Sequence, residues 1–302
     1  MKMSARSNDG NRPLLETTVG DINISLSVTS QPFLRGQLEF ALSTPLSSMS
    51  EANFITTYLT IKRAIACIDN STRYATGTEG GNKIFLYPLQ KRGTPWEPLN
   101  WPELTYRETY PGYLHTKSGL HQDRSRLDSM QSKITTVSGW STPSYSFPDS
   151  NDTNLFARLA RGEIPQWRLW EDAHHIAFLT PFPNTPGLTV VIPRKHLSSD
   201  ILALDNDDFT LLVQTAFRVS RVLTKALNVD RVGVFFEGFE IDYAHVKLVP
   251  VPTATSIEDI VGPFYPTYLG YLSTQPGPVR DVGDIEAELD LEGWGRWVAK
   301  LV

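Results

Sequence analysis

The chain has 302 residues, of which 40% are hydrophobic and 20% charged, and its 28 basic and 33 acidic residues give a net charge of −5. This composition supports a packed core in one large domain or two ordinary ones, and it excludes a largely disordered chain. No basic block is present, so a nucleic-acid polymer is not expected as a partner, and a single cysteine excludes an intrachain disulfide.

The N-terminal residues 1–13 are polar, and we expect them to be disordered. They lack an apolar core like that of a signal peptide, and no apolar run in the sequence is long enough to span a bilayer. We therefore expect a cytoplasmic protein that does not bind membranes.

The first helical pattern lies in residues 54–68. Apolar residues there recur at steps of three and four, which predicts an amphipathic helix with one buried face. A strand-like run follows this helix and reaches Glu79-Gly80, and residues 106–119 form an extension rich in tyrosine and glycine. These elements predict a first half that spans residues 14–135.

Residues 136–153 are rich in Ser, Thr, Pro, Asp and Asn and have no periodicity. This composition is typical of a connecting segment, so we predict a linker between the first half and residues 154–302.

The second half repeats the order of the first. Residues 180–199 align without gaps on residues 29–48 at an offset of 151, and residues 264–277 align on residues 106–119 at an offset of 158. Between these matches lies a second helical pattern, in residues 209–227, and a strand-like run that reaches Glu237-Gly238. Three matches in the same order are hard to explain by chance, so we interpret the halves as tandem copies.

The sequence pattern of each half predicts two strands, a helix and two further strands, followed by the extension. Short alternating strands with one amphipathic helix favour an α+β fold in which a helix covers an antiparallel sheet.

Residues 237–250 (EGFEIDYAHVKLVP) hold the densest cluster of reactive side chains. Alternation from 243 to 248 predicts a strand with Tyr243, His245 and Lys247 on one face and apolar residues on the other. Glu240 and Asp242 precede this strand. An imidazole beside carboxylates, a phenol and an ammonium suits nucleophilic or acid–base chemistry. The matching residues 81–88 of the first half include no histidine, so that half is predicted to be a degenerate copy.

This segment and its surroundings resemble a histidine triad (HIT) domain. Residues 154–165 (NLFARLARGEIP) resemble the family's opening helix and loop, and residues 170–197 resemble its next two strands and their turn. Residues 243–250 fall on the signature His-x-His-x-His-x-x-Pro. Two fused halves with one active half resemble galactose-1-phosphate uridylyltransferase-like proteins, and this likeness implies an intramolecular pseudo-dimer.

The resemblance implies that His245 is the nucleophile, which attacks the α-phosphorus of a nucleotide conjugate and forms a nucleotidyl-histidine. At the outer triad positions, Tyr243 would donate a hydrogen bond and Lys247 would hold a phosphate or a carboxylate. Three positions depart from the family's nucleotide ligands: Thr180 replaces a ribose-binding acid, Phe236 an asparagine, and Glu240 a small polar residue.

Several aromatic residues are expected near the substrate. Phe178, Phe182 and Phe236 would either line a base or aromatic pocket or lie in the core, while Trp294 in the C-terminal extension is placed near the site by the resemblance. The neighbouring His174 and His175 point to opposite sides of a strand, so we expect surface positions for both. We expect no metal and no cofactor.

Three functions remain open from the sequence. The first is a nucleotidyl hydrolase or transferase that acts through His245 on a nucleotide or phosphate ester. The second is a repurposed enzyme of specialised metabolism, in which Glu240, Asp242, Tyr243, His245 and Lys247 perform acid–base chemistry on a small non-nucleotide metabolite. The third is a non-catalytic binding module. Each would bind a small molecule, and the protein would be a monomer or a homodimer.

Overall fold

Ten strands form one continuous antiparallel sheet in the computed structural model, which describes residues 13–251 and 260–289. The strand order is β1-β2-β3-β5-β4-β9-β10-β8-β7-β6, so each half contributes five adjacent strands. The strands are β1 (Leu15–Val19), β2 (Ile22–Val28), β3 (Leu38–Leu42), β4 (Thr72–Thr78), β5 (Lys83–Lys91), β6 (Trp167–Glu171), β7 (His175–Leu179), β8 (Thr189–Pro193), β9 (Arg231–Phe236) and β10 (Val246–Val251).

Helices cover one face of this sheet. They are α1 (Glu51–Ile68), α2 (Arg124–Ser138) and α4 (Asn206–Leu227), and the short helices α3 (Leu155–Ala160) and α5 (Val282–Glu288) complete the described set. The two predicted amphipathic helices are confirmed as α1 and α4. Ser50 and Asp205 cap their N-termini by accepting backbone N–H groups, and Asn228 ends α4 in the left-handed conformation.

A pseudo-twofold axis passes through the middle of the sheet, where β4 of the first half pairs with β9 of the second. Gly77 lies opposite Phe235, and these positions differ by 158, the offset of the sequence match. The flanking pairs Thr76–Phe236 and Thr78–Val234 are therefore equivalents of one another. Gly77 is required here because a Cβ atom would lie 2.7 Å from the Phe235 ring.

The two extensions cross over and pack on opposite halves. Gly119 N donates to Phe182 O of the second half at 2.9 Å, and Gly277 N donates to Gln31 O of the first half at 3.0 Å. These two bonds are equivalent under the sequence offsets. Each half thus lends its extension to the other half.

The predicted α+β fold with two HIT-like halves in a pseudo-dimer is confirmed. Helix α2 packs against β6 and α4 of the second half, and it extends to Ser138, inside the segment predicted as a linker. Residues 1–12 of the expected disordered N-terminus lie outside the described residues. Within the described part of the chain, none of the helices is long and apolar enough to cross a membrane.

Candidate active site

The reactive segment is a loop followed by a strand, and the strand begins later than expected. Strand β10 begins at Val246, so Tyr243 and His245 precede it. Gly238 allows the turn of this loop, because its φ is +83° and an added Cβ would lie 2.4 Å from Ser199 O. The predicted alternation nevertheless holds across this boundary. Ala244, Val246 and Leu248 pack in the core under the helices. Tyr243 packs in the core on the other face, where Phe156 contacts the rings of both Tyr243 and His245.

Tyr243 is fully buried in the core on this face of the sheet. Its hydroxyl donates to Pro193 O at 2.7 Å, and its ring contacts Phe156 edge-on. Burial raises the pKa of Tyr243 well above its usual value, so the phenol stays neutral. Its observed contacts position the loop that carries His245.

His245 is buried, with 2% of its surface exposed. Its Nδ1 lies 2.7 Å from Tyr243 O, and a carbonyl can only accept, so Nδ1 carries the proton and Nε2 keeps its lone pair. Burial, reinforced by the charge of Lys247, lowers the pKa of His245 to about 4. The imidazole is therefore neutral near pH 7, as a nucleophile or a base must be.

Lys247 lies between two carboxylates. Its Nζ is 2.8 Å from Glu240 Oε2 and 3.6 Å from Glu237 Oε2, and it also donates to Thr116 O at 3.1 Å. Burial alone would lower the pKa of Lys247, but the two carboxylates outweigh it, and the pKa is raised. The charge of Lys247 lowers the pKa of Glu240 to about 2. Glu240 and Lys247, which a straight strand would separate, form an ion pair because the loop bends.

Glu237 was not predicted as a site residue, although it stands in the repeated Glu-Gly pair. Its carboxylate accepts a hydrogen bond from Tyr268 at 2.5 Å, and burial raises its pKa against the opposing charge of Lys247. In the first half, the equivalent Glu79 accepts from Tyr110 at 2.5 Å. The glutamate and the tyrosine of this pair recur in both halves of the sequence, and this repetition was the signal for Glu237.

A pocket of about 290 Å³ lies beside His245, Glu240 and Lys247. Thr180, Phe178 and Phe182 line it, as predicted, but most of the lining is apolar. The apolar lining comes from α3, the following loop and strands β7 and β8, and it includes Phe156, Leu159, Ile164 and Val190.

The first half supplies one wall of this pocket and a residue that shapes it. Thr116 and Ser118 of its extension line the pocket, and Ser118 Oγ donates to Glu240 Oε1 at 3.1 Å. Arg73 on β4 donates to Ser199 O at 2.7 Å and to Gly238 O at 2.8 Å, and its guanidinium stacks on Phe239 at 4.3 Å. No local sequence pattern links these residues to a site 120 or more positions away.

Three other predicted site residues have different outcomes. Phe236 packs on the helix-covered face of the sheet against Tyr58, at 5.4 Å between ring centroids, so its assignment to the substrate is wrong. Asp242 is exposed and accepts a hydrogen bond from the Ser199 hydroxyl, outside the pocket lining. Trp294 lies outside the described residues.

The surface interpretation holds for His174 and is wrong for His175. His175 is 2% exposed, and its Nδ1 lies 3.1 Å from the Thr215 hydroxyl on α4. Among the described residues, no group of three or more His, Cys, Asp or Glu side chains is arranged to hold a metal ion.

The first half has no equivalent site chemistry. The pairing of β5 with β3 and β4 places Lys83 where the second half has His245, and Phe85 where it has Lys247. Lys83 is exposed and pairs with Glu39 at 2.9 Å. Because Lys83 and Phe85 stand at these positions and no imidazole is present there, the first half lacks the nucleophile.

Residues 161–250 match the family model described as HIT domain. An uncharacterized HIT-like protein of Saccharolobus solfataricus is 27% identical over 117 residues, which is 37% of this chain and 82% of that protein. An adenosine 5′-monophosphoramidase of Saccharomyces cerevisiae is 28% identical over 103 residues, or 32% of this chain and 61% of that protein.

Two solved structures are similar to parts of this chain. A Hit-like protein from Bartonella henselae, involved in cell-cycle regulation, is 31% identical with a TM-score of 0.31, over 35% of this chain and 84% of that one. A galt-like protein from Arabidopsis thaliana is 12% identical with a TM-score of 0.44, over 77% of this chain and 75% of that one.

Proposed function

Because the chain belongs to the HIT superfamily, we propose that its second half is an enzyme that transfers or hydrolyses a phosphate conjugate, in the manner of a nucleotidyl hydrolase or transferase, through Nε2 of His245. The observation that carries this proposal is the bond from Nδ1 of His245 to Tyr243 O. It fixes the tautomer in which Nε2 has a free lone pair, and the low pKa of His245 keeps that lone pair available. The similarity to an adenosine 5′-monophosphoramidase supports a conjugate of this class.

In the first step, Nε2 of His245 forms a bond to phosphorus while the bond from phosphorus to the leaving nitrogen or oxygen breaks. Lys247 gives its proton to the leaving group as that bond breaks. In the second step, water attacks phosphorus and the bond to Nε2 breaks. The proton from that water returns to Lys247, so the enzyme is regenerated.

The experiment incubates the protein with an adenosine 5′-phosphoramidate and an aryl phosphoramidate, quenches in base, and measures intact mass. Base is needed because the bond between phosphorus and histidine is labile in acid. We expect turnover and an adduct on His245 in the wild type, and neither in His245→Asn. The matched control is His174→Asn, an exposed histidine, which should behave as the wild type.

A second candidate is acid–base catalysis on a non-nucleotide metabolite. The observation that favours it is the Glu240–Lys247 pair at 2.8 Å, which places a carboxylate in the pocket where a phosphate ligand would be repelled. Turnover of a metabolite with no adduct at any time would support this candidate over the first. If the protein binds a small molecule without turning it over, and His245→Asn does not change that binding, the result would support the non-catalytic binding module.

We also propose that the two halves are tandem copies and that the degenerate half now serves as the wall of the active one. The support is the coincidence between sequence offsets and structural equivalence, as in the bonds of Gly119 and Gly277.

A further inference from the structure

The hydroxyl groups that line the His245 pocket each have a protein partner. Among its described hydroxyl groups, Ser118 donates to Glu240, Thr180 accepts from Phe182 N at 3.1 Å, and Thr116 accepts from Leu272 N at 2.8 Å. A ribose or another polyol binds tightly when the protein offers hydrogen-bonding groups that have no other protein partner. In the described lining, a ribose would have to share these hydroxyls with the protein groups that they already bind.

The two cationic side chains of the described lining, Lys117 and Lys247, also have acidic partners. Lys247 is held between Glu237 and Glu240. Lys117 Nζ lies 3.5 Å from Glu103 Oε2 and over the rings of Trp101 and Tyr271, at 4.9 and 4.5 Å. A polyphosphate would need uncompensated positive charge, and the ionised Glu240 adds a negative charge instead.

The rest of the pocket lining is apolar, and this apolar surface continues to the mouth of the pocket. Leu155 and Phe182 both line the pocket and are 47% and 46% exposed, so they form an apolar rim. Further in, Leu159, Ile164 and Phe178 continue this surface toward His245. Burying an apolar group against such walls contributes about 25 cal/mol per Å².

We infer that this site takes a conjugate of low charge in which an aromatic ring or apolar chain, and not a nucleoside, is joined to the reacting phosphorus. This inference rests on the proposed function, since it names the substrate class of the same site. The apolar group fills the pocket between α3 and strands β7 and β8, and the phosphorus lies at His245.

The test compares kcat/KM for a naphthyl phosphoramidate and for adenosine 5′-phosphoramidate. We expect the wild type to favour the naphthyl compound by at least tenfold. Leu155→Ser and Phe182→Ser should each reduce that preference about threefold or more, whereas Val279→Ser, an exposed apolar residue outside the pocket, should leave it unchanged.

Equal or better use of the adenosine compound would overturn the inference and leave the proposed function intact. Without turnover of either compound, the proposed function fails, and the inference is then tested by binding to His245→Asn. In calorimetry, naphthyl phosphate should bind at least tenfold more tightly than AMP, and tighter binding of AMP would overturn the inference.

Discussion

Ser118 Oγ donates a hydrogen bond to Glu240 Oε1 over 3.1 Å, and this bond joins the extension of the first half to the reactive loop of the second. Thr116, two residues earlier, accepts from Lys247 through its carbonyl. The ion pair of the site is therefore oriented by residues from both halves. The site is a property of the whole chain, although only one half holds the imidazole.

The pH dependence of adduct formation should reveal the low pKa of His245. Its folded-state pKa is lowered to about 4, so about 90% of the side chain stays neutral at pH 5, whereas an ordinary histidine would keep only about 3%. The rate of adduct formation should therefore change less than about twofold between pH 7.5 and 5. A fall of about 30-fold, measured by quenched-flow mass spectrometry, would contradict the buried neutral imidazole.

Glu240→Gln should destabilise the protein at neutral pH and much less in acid. Lys247 lowers the folded-state pKa of Glu240 to about 2 from a usual 4.5, so its contribution is present above pH 4.5 and is lost as the pH falls toward 2. Because the side chain is 37% exposed and solvent screens the pair, we expect a loss of about 1 kcal/mol at pH 7.

Urea unfolding at pH 7 and pH 2.5 measures this difference. The exposed Glu97→Gln serves as the matched control and should change the unfolding free energy little at either pH. An equal cost of Glu240→Gln at both values would show that the pair contributes no charge-dependent stability.

Gly77→Ala should destabilise the junction between the halves. The new methyl group would lie 2.7 Å from the Phe235 ring and 3.2 Å from Tyr87 in a packed region, and such overpacking costs about 1–3 kcal/mol. The measurement is thermal or urea unfolding. Gly81→Ala is the control, because nothing lies within 4 Å of its added Cβ.

A second change distinguishes steric conflict from backbone strain at Gly77. Adding Phe235→Leu to Gly77→Ala should recover part of the lost stability, since the smaller side chain vacates the space of the new methyl group. Purely additive losses would mean that Gly77 matters for another reason.

Arg73→Met should loosen the loop that carries Glu240. The variant loses two charge-assisted bonds, to Ser199 O and Gly238 O, at a cost of about 2–3 kcal/mol to the unfolding free energy. In turnover assays we expect kcat to fall more than KM rises, because the loop positions the ion pair. Arg63→Met on the exposed side of α1 is the control.

Arg73→Lys separates positioning from overall stability. A lysine keeps the charge but cannot make both bonds at once, so it should recover part of the stability and little of kcat. Full recovery of both would show that the charge of Arg73 matters, and not its geometry.

The fold was predictable because its signals are periodic and repeated. Helices α1 and α4 follow the apolar steps of three and four, and the offsets of 151 and 158 express one arrangement used twice. Alternation could not show where β10 begins, since the turn at Gly238 is set by contacts with Ser199.

Local sequence pattern identified the site residues that are close in sequence, and the family resemblance added Thr180, Phe178 and Phe182. His245, Glu240 and Lys247 lie in one segment, whereas Arg73 and Ser118 reach them from the other half. Phe236 could have faced either side of β9, because a buried strand has apolar residues on both faces. Its packing on Tyr58 depends on the helix above the sheet, which no local pattern specifies.

The exchange of extensions between the halves has a consequence for synthesis on the ribosome. The first half ends its last strand at Lys91, yet the backbone carbonyls of Gln31 and Phe33 accept hydrogen bonds from Gly277 N and Tyr265 N of the second half. Contacts of such separation form late and slowly. A nascent chain that has emerged only through the first half must therefore leave that surface uncovered until residues 265–277 have been translated.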